Sequence, residues 1–136
     1  MDASGDVRMV TDFFATTNCD FLANVTGGAE PFFSKTMMRF MREFDASKFP
    51  KLKKIHLHTN GTLWNENAWK AITPVHKYIS TCEISMDAGT REVYNIVRLG
   101  GDWDKLMNNI DFVLTIPTIK IKKTIFCNYY IIAIFI

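Results

Sequence analysis

The chain has 136 residues, 48% of them hydrophobic and 22% charged, with a net charge of +2. This is enough for one ordinary globular domain, too hydrophobic for a disordered chain, and too close to neutral to argue for a nucleic-acid or membrane partner. Three cysteines, Cys19, Cys82 and Cys127, odd in number and far apart, argue against a disulfide framework and make a reducing, cytoplasmic compartment the default.

The N-terminal segment Met1 to Thr17 opens acidic and polar, unlike a secretory signal. Its weak periodicity predicts only a turn region and a short helix or loop around Val10 to Phe14. The first clear strand is predicted over Cys19 to Thr26. It runs into Gly27-Gly28-Ala29-Glu30-Pro31-Phe32, where two glycines, an acid and a proline end it. Glycines allow close backbone approach to a ligand. Pro31 biases Glu30 toward an extended conformation, which places its carboxylate at the strand tip, ready for an ammonium group. Ser34 then predicts the cap of a helix over Lys35 to Phe44, whose methionines read as core filler.

Lys54 to His58 alternates as a strand and ends in Thr59-Asn60-Gly61, a sharp turn. A helix capped by Asn65 or Thr62 is expected over Glu66 to Tyr78, with a kink or break near Pro74. After a turn at Tyr78 to Thr81, Cys82 to Asp87 alternates as a third strand. Thr90 predicts the cap of a helix over Arg91 to Val97, with one apolar face. Asp102 predicts that of a helix over Trp103 to Leu114, with Leu106, Ile110, Val113 and Leu114 on one side. Ile119 and Ile121 alternate with lysines as in a next strand. Ile125 to Ile136 is an apolar run without a turn signal, shorter than the roughly 20 residues of a membrane-spanning helix. It reads equally as a buried strand or as an aberrant end.

Strands alternating with helices predict an α/β fold with right-handed crossovers and a parallel sheet. In such a sheet the tips Gly27 to Pro31, Thr59 to Gly61 and Ser85 to Asp87 share one edge, where ligand sites of these folds lie. His56 and His58, at i and i+2 on one strand face, could suit a metal, but no third ligand stands nearby, and packing or surface roles are simpler.

The ordered set resembles the radical S-adenosylmethionine (radical SAM) enzymes. Thr26 to Phe32 is similar to their glycine-rich acid-proline segment, His58-Thr59-Asn60-Gly61 to the end of their third strand, and Ile84-Ser85-Met86-Asp87-Ala88 to that of the fourth. Tyr94 to Arg98 and Gly100 to Leu106 resemble the helix and connection that follow. The likeness covers about Asp20 to Val113 and is nearest to the SPASM-type subgroup, which carries a second cluster domain. It implies a partial (β/α) barrel over 18–118, between a motif-free segment, 1–17, and an apolar tail, 119–136. It implies S-adenosylmethionine contacts from Gly27, Gly28, Ala29, Glu30, Asn60, Ser85, Asp87 and Arg98, and cofactor cleavage by a [4Fe-4S] cluster to a 5′-deoxyadenosyl radical acting on a small-molecule, peptide or protein substrate. The sequence departs from the family at Ala29, a glycine there, and lacks the CxxxCxxC that supplies the cluster's thiolates, so no metal ligands are assigned. The expectation is a fragment or incomplete homologue of a radical SAM oxidoreductase or maturase. The alternative is a catalytically inactive binding module or a gene remnant.

Overall fold

Alternating apolar residues build a sheet with one face buried under helices. The computed structural model describes residues 11–25, 30–127 and 130–135. Residues 11–16 form a helical turn, α1. Next come β1 (Phe21–Val25), α2 (Lys35–Arg42), β2 (Leu52–Thr59) and α3 (Glu66–Ala71). β3 (Ile79–Ser85), α4 (Arg91–Val97), α5 (Trp103–Leu114), β4 (Lys120–Cys127) and β5 (Tyr130–Phe135) follow. The sheet is five-stranded in the order β1-β2-β3-β4-β5. β1 to β4 are parallel, and β5 returns antiparallel against β4. The architecture is therefore α/β, with a four-stranded parallel sheet joined by helical crossovers, as the pattern predicts.

Each main helix starts at the expected residue because a side chain takes an N–H that the first turn cannot satisfy. Ser34 accepts from Met37 N, Asn65 from Ala68 N, Thr90 from Val93 N and Asp102 from Lys105 N. Gly61 stands at φ +76°, and a Cβ there would lie 3.0 Å from both Ile84 Cγ2 and Leu106 Cδ1. The turn after β2 thus needs glycine for both its conformation and its packing.

The core lies on the helix side of the sheet. Ile55, Leu57, Cys82 and Ile84 from the strands meet Met41, Trp64, Ile72, Leu106 and Ile110. Trp64 is fully buried and stacks on Phe32 at 5.2 Å between centroids. Asn109 is a polar member of this packing, 7% exposed.

Several expectations are corrected in detail. α2 ends at Arg42, short of Phe44. The helix over Glu66 to Tyr78 stops at Ala71 and continues as a 3-10 segment, Thr73–Tyr78, because Pro74 has no N–H for an α-helical bond. β3 starts at Ile79, within the expected turn, since Ile79 pairs with Ile55 and is buried. It ends at Ser85, before Asp87, whose φ of +61° leaves the strand conformation. Leu114 is 44% exposed rather than on the buried side of α5. On α4 only Tyr94 is buried, and Val93, Ile96 and Val97 face outward, so the expected apolar face packs through a single aromatic. The apolar tail takes the backbone of a hairpin, β4 and β5. Among the described residues no helix is long and apolar enough to cross a membrane.

Candidate functional site

The carboxyl ends of β2 and β3 open into a cavity of about 340 Å³. Asn60 and Thr62 come from the turn after β2, and Ser85 and Asp87 from the end of β3. Tyr94 and Arg98 come from α4 and its C-terminus, and Gly100, Gly101, Asp102 and Lys105 from the connection into α5. The fold thus brings together four residues predicted for the site, Asn60, Ser85, Asp87 and Arg98. Gly27, Gly28 and Ala29, also predicted, lie outside the described residues.

Glu30 takes a different place from the expected one. It is not among the residues lining the cavity. Its carboxylate accepts the Thr59 hydroxyl and, at 2.7 Å, the backbone N–H of Asn60. It therefore ties the end of the β1 loop to the tip of β2. Its own carbonyl accepts from Ser34 N at 2.9 Å, which fixes the entry into α2.

Asn60 is held in a turn closed by its own side chain. Its Oδ1 accepts from Thr62 N at 3.0 Å and from Thr62 Oγ1 at 2.7 Å. The amide hydrogens on Nδ2 are then what Asn60 can offer a ligand. Across the cavity Arg98 is paired with Asp87. The guanidinium supplies a positive, fork-shaped donor and Asp87 a negative acceptor. The site therefore carries both signs of charge within one cavity, which suits a zwitterionic ligand.

Tyr94 lies against Trp103 at 5.5 Å between centroids. Burial pushes its phenol above the ordinary tyrosine range, partly countered by the positive charge of Arg98. Gly101 passes so close that a Cβ would sit 2.7 Å from Tyr94 Cε1 and 2.9 Å from the Arg98 carbonyl. The wall of the cavity at this point has room only for glycine. At the outer edge Arg91 and Asp104 pair, with Nη1 2.6 Å from Oδ2. That hydrogen bond lowers the Asp104 carboxyl below its usual range and raises Arg91.

On the sheet face away from the core, His58 Nε2 lies 2.8 Å from Ser85 Oγ, and His56 Nδ1 lies 2.8 Å from Thr81 Oγ1. Each histidine of the i, i+2 pair is thus engaged across the strands with a hydroxyl. Among the described residues no three histidine, cysteine or acidic side chains gather as metal ligands do.

Two of the three cysteines can be assessed as ligands for the iron–sulfur cluster that the family resemblance implies, and neither fits this cavity. Cys82 is buried on the helix side of β3. Burial pushes its thiol up to about 12, far from the thiolate that a metal needs. Cys19 precedes β1, at the amino edge of the sheet, opposite the cavity.

The sequence reading did not assign Thr62, Tyr94, Lys105 or Asn109. Asn109 carried the clearest signal, a polar residue within the apolar stripe Leu106, Ile110 and Val113. Compared with models of known families, with curated proteins and with solved structures, the chain matches none.

Proposed function

We propose that the cavity binds S-adenosylmethionine and that the chain is an α/β binding unit of the radical SAM type without a radical step of its own. The observation that carries this reading is the convergence of Asn60, Ser85, Asp87 and Arg98 on one cavity. They come from three separate stretches and were singled out before any geometry was known. The cavity volume of about 340 Å³ falls at the lower end of the roughly 300–1,000 Å³ of small-molecule sites. Arg98 suits the carboxylate of the methionine moiety, and Asp87 its ammonium or the ribose hydroxyls. Ser85 and the Nδ2 amide of Asn60 add neutral hydrogen-bonding groups. Free thiols at Cys19 and Cys82 accord with a reducing, cytoplasmic setting.

Titration calorimetry with S-adenosylmethionine tests the reading. Binding is expected in the micromolar range, about −8 kcal/mol. Arg98→Ala is expected to weaken it about tenfold, the size of one charge-assisted hydrogen bond. No heat of binding at millimolar ligand, from a chain shown to be folded by circular dichroism, would overturn it.

A further inference from the structure

The turn that presents Asn60 is gripped from two sides by residues that do not line the cavity. From the β1 side, the Glu30 carboxylate accepts the Asn60 N–H and the Thr59 hydroxyl. Thr59 Oγ1 in turn accepts from Gly61 N at 3.1 Å. From the α5 side, Asn109 Nδ2 donates to the carbonyls of both Gly61 and Thr62, each at 2.9 Å. A single amide group has two hydrogens to give. Here they bridge consecutive carbonyls and so fix the orientation of both peptide planes.

We infer that Glu30 and Asn109 are positioning residues for the ligand site, acting through the Thr59–Thr62 turn, and that Glu30 does not itself meet the ligand. The chemistry of the grip supports this. A carboxylate that accepts a backbone N–H makes a charge-assisted bond, shorter and stronger than a neutral one. Asn109 is buried, so its bonds are little weakened by competing water. The Asn60 side chain has one free group, Nδ2, and its aim depends wholly on where the turn stands. A displacement of about 1 Å at such a supporting contact is enough to spoil a site.

The inference rests on the ligand reading for one of its two tests and is independent of it in the other. In calorimetry with S-adenosylmethionine, Glu30→Gln keeps the shape of the side chain but replaces one acceptor oxygen with a donor. It and Asn60→Ala are each expected to weaken binding about tenfold. The double variant is expected to bind no more weakly than Asn60→Ala alone, because both changes remove one contribution. Additive losses, about a hundredfold in the double variant, would mean that Glu30 meets the ligand directly and would overturn the inference.

The second test uses the full chain without ligand. Hydrogen exchange at the Asn60 amide is expected to speed up about tenfold or more in Glu30→Gln, and also in Asn109→Ser, a smaller donor that cannot span both carbonyls. Unchanged protection in both variants would sink the positioning role. Should the wild-type chain bind no S-adenosylmethionine, the proposed function fails while the exchange measurement still decides the grip on the turn.

Discussion

The two faces of the sheet have opposite chemistry although they alternate along the same strands. Val25, Leu57 and Cys82 stand side by side in register on the helix-covered face, and all are buried. One residue earlier, Asn24, His56 and Thr81 stand side by side on the other face, half-buried or exposed. Parallel sheets are usually covered on both faces, and their strands then read as nearly continuous apolar runs. These strands alternate instead. Their open face carries cross-strand pairs of histidine and hydroxyl, and the last of these, His58 with Ser85, reaches the cavity wall. One face holds the fold together. The other was free to become polar and leads into the site.

The sharpest way to break that comparison uses two neighbours on β2. Leu57 is fully buried, and Leu57→Ala is expected to cost about 2–5 kcal/mol from lost burial plus the cavity left behind. His58→Ala, one residue further on, loses a half-buried hydrogen bond and is expected to cost only about 0.5–1.5 kcal/mol. Urea unfolding of the two variants measures the difference. Equal losses would show that the open face contributes to the core as much as the covered one.

The covered face also makes a prediction about pH. The Cys82 thiol is held near 12 by burial, with the negative charge of Glu83 adding to the shift, against an ordinary value of 9.0. Above pH 9 the unfolded chain loses this proton while the folded chain keeps it, so the folded state binds more protons and stability falls as pH rises. Below pH 9 the group has no effect. Between about 9 and 12 it removes stability with a limiting slope of about 1.4 kcal/mol per pH unit. Comparing urea midpoints of wild type and Cys82→Ala at pH 8 and pH 10.5 isolates this share. Parallel behaviour of the two chains would mean that Cys82 is not sealed from water.

Much of this architecture was legible because its causes are local. The caps at Ser34, Asn65, Thr90 and Asp102 are polar side chains placed to take the orphan N–H of the next turn, and a period of two marks a strand buried on one face. What escaped depends on distant partners. His76 stacks on Trp69 at 3.6 Å between rings and bonds the Trp69 carbonyl. This holds the 3-10 segment that replaced the second half of a predicted helix, and no periodicity announces it. The return of β5 also lacks the glycine or proline that usually marks a tight turn. At the site, Asn60, Ser85, Asp87 and Arg98 were readable as polar residues where strands or a helix end. The place of Glu30 was not, because nothing in its neighbours shows that Thr59 and Asn60, thirty residues on, would occupy its oxygens.

The smallest expected effect tests the open face most directly. Thr81 is half-buried, and its hydroxyl lies 2.8 Å from His56 Nδ1. Thr81→Val keeps the β-branched shape that a strand favours and deletes only the hydroxyl. If this face is solvated, water takes over the imidazole nitrogen, and the change is expected to stay within about 0.5–1 kcal/mol in urea unfolding. A loss of about 2 kcal/mol or more would mean that the nitrogen is left buried and unpaired, the signature of a closed interior. The open face would then be a sealed layer, and a ligand could reach the site only from the strand ends. A small loss instead leaves the row of histidines and hydroxyls accessible as a continuation of the cavity floor beyond Ser85.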